Sequence, residues 1–135
     1  MYVLKINQLA EQFVQNRGFH VLVQILQQDS QQDGQIAYNV CTCFWILSYH
    51  RFALHLFQDF SLNVIEHIAK ILDFSNKEKI VRMICNIFLN LKDDEICLEH
   101  LSMINALNLV IKLRNRPWVD EQITRILEQL FEYFD

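Results

Sequence analysis

Two glycines and one proline in 135 residues leave this chain almost without turn punctuation. A β-sandwich or barrel needs a turn residue every few positions. A phosphate-cradling loop or a dinucleotide fingerprint needs clustered glycines. Neither can be written with so few. Disorder is excluded as well, because hydrophobic residues make up 52% of the chain and supply a core. What remains is a long helical domain with tight polar connections, and this length fits one domain.

Helical periodicity carries the reading further. Ile123, Ile126, Leu127, Leu130, Phe131 and Phe134 fall on one face of a C-terminal helix, spaced as an amphipathic helix requires. Arg125, Glu128, Gln129 and Glu132 take the other face, and Glu121 precedes Arg125 by one turn, a mildly favourable pairing. Pro117 in the first turn, with Asp120 and Glu121 near the positive helix end, marks the start. A second amphipathic helix runs from about Asn76 to Leu91, with Ser75 and Glu78 reading as a capping box. A third runs from about Gln35 to Ser48. Its apolar residues nearly surround it, as in a helix sandwiched between neighbours.

These three helices look like copies. Ile36-Ala-Tyr-Asn-Val-Cys-Thr-Cys-Phe44 lies over Ile80-Val-Arg-Met-Ile-Cys-Asn-Ile-Phe88, with Ile, Cys and Phe coinciding. The latter lies over Ile123-Thr-Arg-Ile-Leu-Glu-Gln-Leu-Phe131, with Ile, Arg and Phe coinciding. A shorter helix precedes each copy, at His20 to Gln28, Asn63 to Asp73 and Asn105 to Leu113, and still shorter ones fill Phe52 to Phe57 and Ile96 to Met103. The spacing of about 43 positions is that of armadillo and HEAT repeats. The expected fold is therefore all-α, a right-handed α-solenoid of about three armadillo/HEAT-type repeats. One domain covers 1–135, with repeats at about 18–48, 60–91 and 104–134 after a leading helix at 3–16 that Gly18 ends. Neither Met1-Tyr-Val-Leu-Lys-Ile6 nor Leu130-Phe-Glu-Tyr-Phe134 is an obvious polar cap. These ends either close the core or meet further repeats or a partner.

Charge and cysteines narrow the function. Lys+Arg is 12 against 16 for Asp+Glu, a net charge of -4, without the basic excess of a nucleic-acid binder or a membrane-surface protein. Cys41, Cys43 and Cys85 sit in apolar segments, and all four cysteines, Cys97 included, read as small buried hydrophobes in a reducing cytosol. The start lacks the apolar run of a signal peptide. The longest apolar stretch, Cys43-Phe-Trp-Ile-Leu47, falls far short of the roughly 20 residues that cross a bilayer.

No chemistry-bearing constellation stands out. Cys41 and Cys43 diverge around a helix, no second Cys or His pair has zinc spacing, and no His-Glu-x-x-His set occurs. The five histidines, His20, His50, His55, His67 and His100, read as solvated or locally hydrogen-bonded. No nucleophile elbow or phosphate loop is present, and Asp93-Asp-Glu95 reads as a solvated connector. The expectation is no catalytic residue, cofactor or metal. Lys77 and Lys79 stand out in a helix's first turn, with Arg82 one turn later. Cations there oppose the helix dipole. They read either as an ordinary solvated helix start or as a docking patch for an acidic partner helix.

Gly18-Phe-His-Val-Leu-Val-Gln-Ile-Leu26, Gln35-Ile-Ala-Tyr38, Cys43-Phe-Trp-Ile-Leu47 and above all Lys77-Glu-Lys-Ile-Val-Arg82 resemble the H-subunit family of vacuolar-type proton ATPases, and so does the stretch from Met103 through Asp120-Glu121 to Leu130. The resemblance implies an armadillo/HEAT fold and a regulatory, non-catalytic role. In that family the H subunit bridges the cytosolic catalytic sector and the membrane sector, supports coupled proton pumping, and silences ATP hydrolysis when the sectors separate. Its N-terminal domain binds the peripheral stalk formed by the E and G subunits. The resemblance reaches only the later part of that domain, so stalk binding is implied and inhibition is not. It places the chain at the cytosolic face of vacuolar and endomembrane compartments, with the other pump subunits as partners, no nucleic acid and no direct membrane insertion. The other reading of the residues is a general armadillo adaptor holding an extended peptide, with Asn39 and Asn86 as groove candidates.

Overall fold

The structure, a computed structural model, describes residues 7–29 and 34–135. Each described element is helical. α1 (Asn7–Gln15), α2 (Gly18–Asp29) and α3 (Gly34–Leu47) are followed by a 3-10 turn at Arg51–Ala53 and a single turn, α4 (Leu54–Phe57). Then come α5 (Val64–Phe74), α6 (Glu78–Leu91), α7 (Glu95–Met103), α8 (Ala106–Arg114) and α9 (Glu121–Phe134). The expected helix at 3–16 appears as α1. Positions 3–6, the opening Met1–Ile6 segment and positions 30–33 lie outside the described residues.

The three sequence copies become α3, α6 and α9, each 14 residues long. α6 lies between the other two and packs on both. α2 packs on α3 and α5, and α8 packs on α9, which gives a second layer. Neighbours in this stack are also neighbours in sequence order, as in an α-solenoid. The stripe predicted for α9 is inside: Ile123, Ile126, Leu127 and Leu130 are buried. One continuous core runs from Phe19 to Leu130. Near its start Phe19, Phe44 and Phe57 are fully buried and meet edge to face, with centroids 5.1, 5.0 and 6.1 Å apart, an arrangement that the ring quadrupole favours.

Hydrogen bonds tie successive helix groups together at regular intervals. Gln27 to His67, Thr42 to Met83, Asn90 to Ser48, His100 to Gln58, Arg116 to Ser75, Asp120 to Glu78 and Tyr133 to Lys92 each join residues 40 to 42 positions apart. Each helix group is thus bolted to the next across an interval slightly shorter than the spacing of the sequence copies.

Several local expectations change. Gly18 does not end α1. Arg17 takes the left-handed conformation, with φ 65°, and Gly18 opens α2. Gly18 serves close approach instead, since a Cβ there would lie 2.5 Å from ring carbons of Phe13. Asn63 and Asn105, the residues before α5 and α8, are also left-handed, with φ 50° and 55°. Each helix of the second layer therefore starts from a left-handed joint. Pro117 lies outside α9, whose N-cap is Asp120, accepting from the Gln122 amide. The Ser75–Glu78 capping box does not form either. Ser75 ends α5, and its hydroxyl accepts from the Lys77 amide. Asp94 is no idle connector: it caps α7 by accepting from the Cys97 amide, and it also accepts from Gln58.

Candidate docking site

The flagged cations sit at the start of α6. Lys77 is its N-cap residue, and no side chain caps the helix there. Lys77 and Lys79 are exposed, and neither makes an ion pair among the described residues. The Lys77 side chain lies across the start of α3, where a Cβ on Gly34 would collide with its ammonium. The N-terminal ends of two 14-residue helices and two ammonium groups therefore converge. Helix N-termini carry partial positive charge, so this corner is electropositive on a chain whose net charge is -4. Between the helix starts runs an open groove of about 550 Å³, lined by Gly34, Gln35 and Tyr38 of α3 and by Lys77, Glu78, Lys79 and Ile80 at the start of α6.

Arg82 does not join this patch. Its guanidinium is 2.7 Å from the Asp120 carboxylate, with both side chains only partly exposed. Glu78, between the two lysines in sequence, is also committed to the next unit. Its carboxylate accepts from the Val119 and Asp120 amides at 3.2 and 2.7 Å. Arg116 returns the tie by donating to the Ser75 carbonyl and the Asn76 side chain at 2.8 and 3.0 Å. A carboxylate facing two backbone N–H groups and a charged pair at 2.7 Å are strong contacts for their size. They are structural. Lys77 and Lys79 thus stand exposed, while Arg82 is paired with Asp120.

The other singled-out residues scatter. Asn39 is exposed and takes a hydrogen bond from Gln35, while Asn86 is half-buried on α6. Cys41, Cys85 and Cys97 are buried, Cys43 is half-buried, and none is in a disulfide. Burial pushes the thiols of Cys41, Cys85 and Cys97 up to about 12, which suits inert core residues. Of the two readings of the histidines, solvated or hydrogen-bonded, His100 takes the second: it is only 2% exposed and its Nε2 bonds to the Gln58 carbonyl. Among the described residues no group of three or more His, Cys, Asp or Glu side chains is gathered for a metal ion, and no single helix is long and apolar enough to cross a membrane.

Known proteins place this fold. The profile of the V-ATPase H-subunit family matches residues 2–133. The chain belongs to the V-ATPase H-subunit family. The H subunit of the V-type proton ATPase of Drosophila melanogaster is 29% identical over 137 aligned positions, covering 96% of this chain and 28% of that protein. The probable H subunit of the V-type proton ATPase of Oryza sativa subsp. japonica is 28% identical over 119 positions, covering 87% of this chain and 26% of that protein. The chain thus spans about a quarter of the length of these relatives. Membership makes it a V-ATPase H-subunit protein by descent, and the Lys77–Lys79 groove is the feature of its surface to examine for contact with the rest of such a complex.

Proposed function

We propose that this chain is a non-catalytic regulatory and scaffold element of the V1 sector of a vacuolar-type proton ATPase. It binds the peripheral stalk of the E and G subunits at the cytosolic face of vacuolar and endomembrane compartments, and so supports coupled ATP hydrolysis and proton transport. Family membership over residues 2–133 supports the assignment. The repeat division at about 18–48, 60–91 and 104–134 is of armadillo/HEAT type in this reading, supported by ties that span 40 to 42 positions. The chain acts by burying surface and matching charge, without chemistry of its own.

The observation that carries the contact is the Lys77–Lys79 pair, exposed beside two helix N-termini and making no ion pair among the described residues. An acidic segment of a neighbouring subunit is the complement of this corner. Arg82 serves the fold instead, through Asp120. The test is Lys77→Glu with Lys79→Glu, followed by affinity purification with the other pump subunits. Reversing two rim charges should lower recovery of the complex about ten-fold at low salt, with helical content and melting temperature unchanged. Undiminished recovery of the stalk subunits by the folded double variant removes the patch from the interface.

A further inference from the structure

A second concavity lies away from the lysine corner and shares no residue with it. It is a groove of about 420 Å³ between α5, α7 and α8, within the range of small-ligand and side-chain pockets. His100 lines it and is almost wholly buried, at 2% exposure. Its Nε2 is 3.0 Å from the Gln58 carbonyl oxygen. A carbonyl can only accept, so Nε2 is the donor in this bond, and Nδ1 is the ring nitrogen left for a second partner. It has no hydrogen-bond partner among the described residues, and it is not one of the sealed polar atoms without a partner, which are His20 Nδ1 and Trp45 Nε1.

The walls and rim add the rest. Phe60 stacks on the imidazole, with ring centroids 3.8 Å apart at 18°, yet remains 49% exposed, and Met103 beside it is 70% exposed. Two large apolar side chains standing open at one groove form the sort of patch that marks a contact surface. The rim carries Glu66, Asp73 and Lys70. Lys70 pairs loosely with Glu66, at 3.8 Å, and Asp73 makes no ion pair among the described residues. Two carboxylates against one ammonium leave the rim negative.

We propose that this groove receives a basic side chain, arginine or lysine, flanked by apolar residues on a segment of a partner protein. The aliphatic stem lies against Phe60 and Met103, as long cationic side chains do on apolar surface. The cationic head meets the carboxylate rim of Glu66 and Asp73, beside the ring that Phe60 covers. An acidic segment, which suits the lysine corner, is repelled here, so the two surfaces select opposite partners. This site stands whether or not the chain binds a pump stalk.

The test follows the Met103 methyl and the His100 ring nitrogens by NMR in the full chain. The probe is the capped peptide acetyl-Ala-Leu-Arg-Leu-Ala-amide, titrated to millimolar concentration beside its counterpart with glutamate in place of arginine. The arginine peptide should shift both signals saturably, more weakly as salt is raised, and the glutamate peptide should not. Asp73→Lys, an exposed change that leaves the core alone, should weaken binding at least ten-fold. His100→Phe should abolish the response at Met103, and Asp73→Lys decides the matter if that variant does not fold. Three results overturn the proposal: neither signal moves, both peptides bind alike, or the shifts track protein concentration without peptide, which would make the occupant a second copy of this chain.

Discussion

Arg17, Asn63 and Asn105 form left-handed joints ahead of α2, α5 and α8, and the first of these is built from an unsuitable residue. An L-residue other than glycine, asparagine or aspartate loses about 1–2 kcal/mol in that conformation. Glycine would remove this strain and return about 0.5–1 kcal/mol through the greater freedom of its unfolded chain. Arg17 is exposed, and its side chain makes no ion pair among the described residues. Arg17→Gly should therefore stabilise the protein by about 0.5–1 kcal/mol, raising the melting temperature by about 2–4 °C. Its neighbour should answer with the opposite sign: Gly18→Ala drives a methyl to 2.5 Å from the Phe13 ring, an overpacking that costs about 1–3 kcal/mol. Asn63→Gly should change little, since asparagine already tolerates the conformation. Thermal and urea unfolding followed by circular dichroism measures all three. A lower melting temperature for Arg17→Gly, or no penalty for Gly18→Ala, refutes the account of these joints.

Two further outcomes concern ionisable groups. Burial pushes Cys85 up to about 12, so at pH 8 its reactive thiolate is scarce; in native buffer iodoacetamide should modify half-buried Cys43 well before Cys85, and equal rates by mass spectrometry would contradict the packing of α6. For Asp94, burial resists ionisation, but the hydrogen bonds from Cys97 and Gln58 together outweigh it and hold the carboxyl below its ordinary value. A depressed folded value means that Asp94 stabilises the fold above the ordinary carboxylate range and loses this contribution as pH falls through the depressed one. The urea midpoint of Asp94→Asn should accordingly fall less steeply than that of the native chain between about pH 5 and pH 3, and parallel curves would refute the assignment.

The stacked helices were legible because each carries an unbroken apolar stripe, and their likeness gave the repeat interval. Joints and latches were not. Nothing in the residue type of Arg17 announces a positive φ, whereas Asn63 and Asn105, asparagines ahead of apolar periodic runs, could have suggested one. Ser75 and Glu78 satisfied a capping pattern locally, but the Val119 and Asp120 amides of the next unit compete for the same carboxylate. Arg82 read as a surface cation because its partner is 38 positions away and is brought near only by the stack. For His100 a hydrogen bond was within the reading, but its near-complete burial was not, for a related reason. α7 is short, with mixed sides, so the sequence does not say which side faces α5.

The segment between α8 and α9 looks like a place where a family could freely add or drop residues, since connections on a surface usually accept this. Its bolts say otherwise. Arg116, Val119 and Asp120 each reach back to the start of α6, so one extra residue there would pull at least one of these ties off its mark. Length variation in relatives should therefore avoid this bend, and a peptide tag spliced into it should loosen α9 from the stack as surely as a break in the helix itself.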